Sequence, residues 1–443
     1  MIRNKEARVC VIGAGPSGIT AAKNLLQVGL RKVVVYEKND QIGGNWVYSP
    51  RLSHSSVFET THIISSKRLS QYADYPMPAE YPDYPSHQQL LAYFQGYAEH
   101  FGILPYIRFN TEVKHAARQA DETWKITLAD GSVEQFDYLL VCNGHHWNPR
   151  YPEYPGQFSG QFLHSHDFKT AAPFRDQRVL VIGGGNSACD VAVETSRVSA
   201  FTGISMRRGY YIVPKFTMGE PADVLNSRIV GLPDWLRLRL LQLALWLNVG
   251  DYASYGLERP KHSILGAHLT MNSELLYFIR HGKIHPRRDI ARFEGKTVHF
   301  VDGKAEAYDT IIACTGFIIT FPFFDQTFID YSEGDVPLYL RMFHPDYASL
   351  FFIGLVQPLG CIWPLADAQC KLAANYIVGN YQPPADMRQR IQEDVASINK
   401  QFIKAARHTI EVEYHKYLWK LERELPANAP AWSAQQQASA ASR

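Results

Sequence analysis

The chain has 443 residues, 46% of them apolar and 20% charged, with a formal net charge of +2. That length exceeds what one small core organises and fits two or three packed units. The near-neutral balance gives no basic face for nucleic acid and no surface matched to an acidic partner, leaving a mixed, solvated exterior.

Residues 8–12 (RVCVI) form a continuous β-branched run of the kind found in parallel strands buried on both faces. No apolar leader precedes it, so a secretory signal is not expected. GAGPSG follows, placing Gly13, Gly15 and Gly18 in G-x-G-x-x-G spacing, then a helix-like run over 17–28 and a second strand over 32–36 that ends at Glu37. Gly13 suits the tight turn, Gly15 lets backbone approach a pyrophosphate, and Gly18 permits close helix–strand packing. The helix N-terminus offers free N–H groups and partial positive charge to phosphates. Glu37, about 20 residues past the last glycine, is where an acid accepts ribose hydroxyls. Strand, loop, helix, strand and acid in that order predict a dinucleotide-binding unit.

Residues 74–85 are rich in proline and tyrosine and predict an ordered loop, and Ser86 with Gln89 gives a capping box for a helix over 86–100. Residues 148–160 read as a linker. Residues 178–182 (RVLVI) then open a second unit, where Gly183, Gly185 and Ala188 repeat the glycine spacing. Its second strand ends at Arg207 and Arg208 in place of an acid. A guanidinium forks onto a 2′-phosphate that a carboxylate would repel, so the coenzyme here is expected to be NADP(H), not NAD(H). The stretch 235–249 (WLRLRLLQLALWLNV) is the most apolar, yet shorter than the roughly 20 residues of a membrane span. It predicts a buried or subunit-contact helix in preference to one lying on a membrane. Neither the His145–His146 pair nor His164 with His166 carries the further ligands of a metal site, so none is expected.

The halves match beyond the glycine loops. Residues 126–144 (ITLADGSVEQFDYLLVCNG) parallel 298–316 (VHFVDGKAEAYDTIIACTG), with Asp130 and Asp302, Asp137 and Asp309, Cys142 and Cys314, and Gly144 and Gly316 at one constant offset. Each copy predicts a hairpin with an Asp-Gly turn, followed by a strand that ends in Gly beside a ligand. The six cysteines form no C-x-x-C pair, which suits a reduced, cytoplasmic protein and argues against a disulfide reductase. The tail 431–443 is small and polar and reads as frayed chain, not an anchor.

Over nearly its whole length the sequence resembles the flavin-containing monooxygenases. Phe158, Gly160, His164 and Phe168 fit that family's F-x-G-x-x-x-H-x-x-x-F/Y fingerprint, GGNW (43–46) resembles its second FAD motif, CTGF (314–317) its late T-G-F/Y motif, and GLVQPLG (354–360) a further shared stretch. The resemblance implies an α/β fold of two Rossmann-like dinucleotide-binding domains, the second inserted into the first. The expected domains are 1–160 (FAD), 161–320 (NADP, with an apolar helical insertion at about 220–270) and 321–443 (return to the FAD domain and C-terminal helices). FAD contacts carry over to Gly13, Gly15, Pro16, Ser17, Gly18, Glu37, Lys38, Gly44, Asn45, Trp46, His54, Val113, Asn143 and Gln357; NADPH contacts carry over to Asn186, Ser187, Arg207 and Arg208. The implied activity is NADPH- and O2-dependent oxygenation of a soft nucleophile, amine nitrogen or sulfide sulfur, through a flavin hydroperoxide. Baeyer–Villiger oxygenation of ketones and partly uncoupled NADPH oxidation are the alternatives, and a nucleotide-sensing protein is the reading outside enzymes. Phe168 stands where Baeyer–Villiger enzymes usually have Trp. Ile64 stands where the family usually places an Asn three residues before a Lys, so Ile64, Ser65 and Ser66 are the expected flavin-side positions. The expected partners are a small-molecule substrate and O2, with homodimerisation open.

Overall fold

The computed structural model describes residues 4–51, 53–401 and 409–427; the tail 431–443 lies outside them. The described residues divide into two units, the first drawn from Met1–Val47, Lys67–His145 and Ile318–Arg443, the second from Tyr48–Ser66 and His146–Phe317.

The chain opens with β1 (Arg8–Ile12), α1 (Pro16–Gln27), β2 (Lys32–Tyr36), α2 (Lys67–Ser70), α3 (His87–His100), β3 (Ile107–Arg108), β4 (Val113–Arg118), β5 (Trp124–Leu128), β6 (Val133–Phe136) and β7 (Tyr138–Val141). The second unit's elements follow: β8 (Gln161–His164), β9 (Arg178–Ile182), α4 (Asn186–Ser196), β10 (Phe201–Ser205), β11 (Ile212–Val213), β12 (Phe216–Thr217), β13 (Glu220–Pro221), α5 (Ala222–Arg228), α6 (Asp234–Val249), β14 (Thr270–Met271), α7 (Leu275–Arg280), β15 (Ile284–Arg287), β16 (Ile290–Glu294), β17 (Thr297–Phe300), β18 (Ala305–Ala307) and β19 (Thr310–Ala313). The chain ends in the first unit with β20 (Leu350–Phe352), β21 (Gln357–Pro358), α8 (Ile362–Ile377), α9 (Met387–Gln401), β22 (Glu411–Val412) and α10 (Tyr414–Glu424).

In the first unit five parallel strands run in the order β20-β7-β1-β2-β3. In the second, five parallel strands run β8-β19-β9-β10-β15. The apolar strand cores are buried, as strands covered on both faces require. Beside each sheet is a three-stranded antiparallel ribbon, β4-β5-β6 in one unit and β16-β17-β18 in the other. Their turns carry Gly131 at φ +85° and Gly303 at φ +86°, left-handed conformations that glycine adopts without strain.

The sequence repeat is a repeat of hydrogen bonds. Asp137 accepts from the Arg8 backbone N at 2.7 Å, and Asp309 accepts from the Arg178 backbone N at 3.0 Å. Cys142 N donates to Ile12 O at 2.9 Å and Cys314 N to Ile182 O at 2.8 Å. Each matched Asp thus starts the first strand of its sheet, and each matched Cys pairs the Gly-terminated strand with it. In chain order the strand after β7 is the edge strand of the other sheet, β8, and the strand after β19 is β20, so the two copies exchange their fifth strands.

Pro16 opens α1 at a position where its missing N–H costs nothing, and Gly29 (φ +95°) closes it with Leu30 N donating to Leu25 O. Ser86 and Gln89 form the expected capping box, so α3 begins at His87. Asp367 on α8 is fully buried and accepts from Thr20, Lys23 and Asn24 of α1 at 2.6, 2.9 and 2.8 Å, with Lys371 at 3.0 Å. Burial alone would raise its pKa, but the two ammonium groups hold it well below the carboxylate range.

Over 235–249, where a buried or subunit-contact helix is expected, the single chain covers only part of the helix. α6 buries Arg237, Leu245 and Val249 but exposes Trp235, Leu240, Leu243, Trp246 and Leu247. Arg237 turns inward because Asn226 on α5 accepts from its Nε and Nη2 at 3.2 and 3.0 Å. No helix among the described residues is long and apolar enough to cross a membrane.

Candidate functional site

In the first unit Gly13, Gly15, Gly18, Glu37, Gly44 and Asn143 meet at the β1–α1 turn. Gly13 has φ +100°, and a Cβ on it would lie 2.7 Å from Cys142 O; a Cβ on Gly18 would lie 1.8 Å from Gly13 O. Both positions therefore exclude larger residues by direct overlap with backbone. Gly15 differs: a Cβ on it would meet Gly44 Cα at 3.5 Å and Gly44 N at 3.8 Å, ordinary contact, so no backbone overlap excludes a side chain there. Gly43 N donates to Ala14 O at 3.2 Å, seating the GGNW stretch against the first loop, and Trp46 packs edge-on against Trp363 with ring centres 5.7 Å apart.

Glu37, at the end of β2, is buried; its Oε2 accepts from Ala14 N at 2.8 Å and its Oε1 from Asn39 N at 2.9 Å. Asn39 Nδ2 also donates to Oε1, at 2.6 Å, so the carboxylate is held at the loop with one acceptor position on Oε2 left for a hydroxyl. Pro16 and Ser17 lie in the first turn of α1, and Lys38 and Asn45 adjoin Glu37 and Gly44 in the chain. Val113 begins β4 and packs in the core with Tyr36. Asn143 donates from Nδ2 to Thr320 O at 3.1 Å, and Gln357 N donates to Ile410 O at 2.8 Å. Two further residues stand at this loop. Tyr72 donates its hydroxyl to Pro16 O at 2.8 Å, and Gly354 (φ +73°) leaves the space that Ser17 Oγ fills, 2.3 Å from where a Cβ would be. The GLVQPLG resemblance pointed to the second; nothing local pointed to Tyr72.

The second unit repeats the cradle. Gly183 has φ +132°, with a Cβ position 2.5 Å from Cys314 O, and the Cβ position of Gly185 has nothing within 4 Å. A Cβ on Gly184 would strike the Tyr210 ring at 2.2 Å. Asn186 Oδ1 accepts from Met271 N at 2.6 Å, and Ser187 faces solvent. Arg207 is exposed. Arg208 lies with its guanidinium 5.3 Å from the Tyr210 ring centre, and its buried Nε and Nη2 have no hydrogen-bond partner among the described residues. Buried guanidinium donors require an acceptor, and a phosphate dianion is the group their planar fork matches.

His54, Ile64, Ser65 and Ser66 belong to the second unit. Ser66 N donates to Asp223 Oδ2 at 2.6 Å, and Lys215 Nζ donates to Ile63 O at 3.3 Å. Burial raises the Asp223 carboxyl and lowers the Lys215 ammonium. Neither residue was legible as an anchor of this stretch, because each is remote in sequence. Of the fingerprint, His164 is fully buried; burial pushes its imidazole down to about 4, and its Nδ1 accepts from His166 N at 3.1 Å. Phe168 packs against Phe58 and Phe174 at ring-centre distances of 5.3 and 5.6 Å. These residues hold the linker in place. Among the described residues no group of three or more His, Cys, Asp or Glu side chains could hold a metal ion.

The profile of Flavin-binding monooxygenase-like proteins matches residues 6–432. The chain is 35% identical to Flavin-containing monooxygenase 5 of Rattus norvegicus, across 92% of this chain and 81% of that protein. It is 31% identical to Dimethylaniline monooxygenase [N-oxide-forming] 2 of Cavia porcellus, across 95% and 83%. Its fold is similar to that of S-allyl-L-cysteine S-oxygenase from Allium sativum, with a TM-score of 0.71 at 24% identity over 99% of this chain and 92% of the other.

Proposed function

The chain belongs to the flavin-binding monooxygenase-like family of FAD- and NADPH-dependent oxidoreductases, and from that membership we propose that it oxygenates a small soft nucleophile, an amine nitrogen or a sulfide sulfur, with O2. Each five-stranded sheet is read as a Rossmann-like dinucleotide-binding domain, the first for FAD and the second, inserted between parts of the first, for NADPH. The doubled glycine cradle carries this reading.

The residues divide the work of binding and orienting. The N-terminus of α1 receives the FAD pyrophosphate beside Gly15, and Glu37 accepts from a ribose hydroxyl. The N-terminus of α4 and the open face at Gly185 receive the NADPH pyrophosphate, and the unpartnered donors of Arg208 take its 2′-phosphate. When bound, FAD supplies a ring that accepts a hydride from NADPH and passes its electrons to O2. The protein's remaining task is placement and exclusion of water. The relative that forms N-oxides supports amine oxygenation. Ile64, apolar where the family usually has Asn, favours a bulky apolar substrate, and with it Baeyer–Villiger oxygenation of a ketone as the second reading.

The test is product analysis with NADPH, isotopically labelled O2 and a panel of amines, sulfides and ketones. Label in an N-oxide or sulfoxide supports the proposal. Label only in esters moves it to Baeyer–Villiger chemistry, and hydrogen peroxide without any labelled product overturns oxygenation.

A further inference from the structure

We infer that Thr270 is a positioning residue for the NADPH site, fastening the return of the 214–269 insertion onto the second glycine loop; this rests on the reading of that loop as the NADPH cradle. After β10 the chain passes through β11, departs through β12, β13, α5 and α6, and returns at β14, which pairs in parallel with β11: Ile212 opposite Thr270 and Val213 opposite Met271. The insertion therefore leaves and re-enters at adjacent points.

Three consecutive residues at the re-entry bind the loop and the helix after it. Thr270, almost fully buried, donates its hydroxyl to Gly184 O at 2.8 Å. Met271 N donates to Asn186 Oδ1 at 2.6 Å. Asn272 donates from Nδ2 to Asp190 Oδ1 at 2.7 Å, while its Oδ1 accepts from Glu274 N at 2.9 Å and Leu275 N at 2.6 Å, which starts α7.

The reason lies in what a phosphate loop demands. Its N–H groups must face the ligand, so its carbonyls must face the protein, and a buried carbonyl needs a donor there. Thr270 is that donor for Gly184. The opposite constraint comes from Tyr210, whose ring fills the space at the missing Cβ of Gly184 and lies beside the Arg208 guanidinium. The loop is thus set between Thr270 and Tyr210, and the insertion shares its anchor with the coenzyme.

The experiment measures the dissociation constant of NADP+ by titration calorimetry on FAD-loaded protein for wild type, Thr270→Val, Thr270→Ser and Arg208→Ala. Valine keeps the branched shape but leaves the Gly184 carbonyl without its donor; serine keeps the hydroxyl. Thr270→Val is expected to weaken NADP+ about tenfold, the effect of an unsatisfied buried carbonyl at the loop, with Thr270→Ser close to wild type. The visible flavin spectrum and FAD content should not change, and in turnover KM for NADPH should rise with kcat kept. If Arg208→Ala weakens NADP+ but Thr270→Val does not, the positioning role is overturned and the cradle reading stands. If neither variant weakens NADP+, both fall. If Thr270→Val loses FAD or stability while its NADP+ affinity holds, the residue is structural only.

Discussion

At the scale of single residues, Gly15 and the two arginines separate the sites. A Cβ on Gly15 would meet Gly44 Cα at 3.5 Å and Gly44 N at 3.8 Å, ordinary contact with no backbone overlap, so the bulk added by Gly15→Val is expected to act on the pyrophosphate more than on the fold. The variant should purify folded and colourless, with flavin absorbance lost and circular dichroism kept. Arg208 has buried donors without hydrogen-bond partners among the described residues, whereas Arg207 is exposed. Arg208→Ala should therefore weaken NADPH binding by about 10- to 150-fold, from about 1.5–3 kcal/mol of charge-assisted hydrogen bonding, and Arg207→Ala by less. NADH should be affected by neither, and equal losses with both coenzymes would remove the phosphate role.

Asp190 adds a pH dependence at the same scale. Burial pushes its carboxyl up from 3.8 to about 6, against the opposing field of Lys215 and the Asn272 hydrogen bond, with Glu194 and Glu274 adding to the rise. The folded state holds this proton more tightly than the unfolded chain, so the contribution to stability is present at low pH and is lost as pH rises through about 6. Asp190→Asn keeps an acceptor for Asn272 and stays neutral. Its Tm relative to wild type should climb between about pH 4 and pH 6 and then level off. A constant Tm difference across that range would show that Asp190 titrates normally.

At the scale of elements, α6 is the sharpest case. Leu245 packs in the core of the second unit with Val249 and Tyr252, while Leu243, two residues earlier, is 54% exposed. Leu245→Ala should cost about 2–5 kcal/mol in chemical denaturation, and Leu243→Ala should stay within about 0.5 kcal/mol. Similar costs would mean that α6 is covered on both faces in solution, as the subunit-contact expectation requires. The apolar tally of the segment could not foretell this arrangement: a helix apolar all round gives no period from which to choose its buried face.

At the scale of the whole molecule, coupling between NADPH consumption and product is where Ile64 counts. An Asn at this position could donate and accept hydrogen bonds, and Ile can do neither. Wild type should release some hydrogen peroxide per NADPH consumed, and Ile64→Asn should release less, in assays with and without substrate. If wild type is tightly coupled and the variant unchanged, another group serves in place of the Asn. The stretch bearing Ile64 is fastened by Asp223 through Ser66 N and by Lys215 through Ile63 O, so the substitution meets a backbone already held.

The sequence alone determined the parts whose causes are local. Gly18 is demanded by the carbonyl of Gly13 five residues before it, the Ser86 capping box closes within one turn, and the Asp-Gly hairpins turn on two residues, so spacing alone exposes them. The repeat was legible for another reason: two copies that solve one problem with matching residues, down to Asp137 and Asp309, can be compared with each other even where the bonds they make are long-range. Only the tertiary structure decided which remote side chains serve these loops. Thr270 reaches Gly184, Asp223 reaches Ser66, and Asp367 reaches Thr20 across separations of 86, 157 and 347 residues. No periodicity encodes such pairings, because a hydrogen bond between distant residues is specified by where the packed elements place the two atoms and leaves no pattern in the residues around either one.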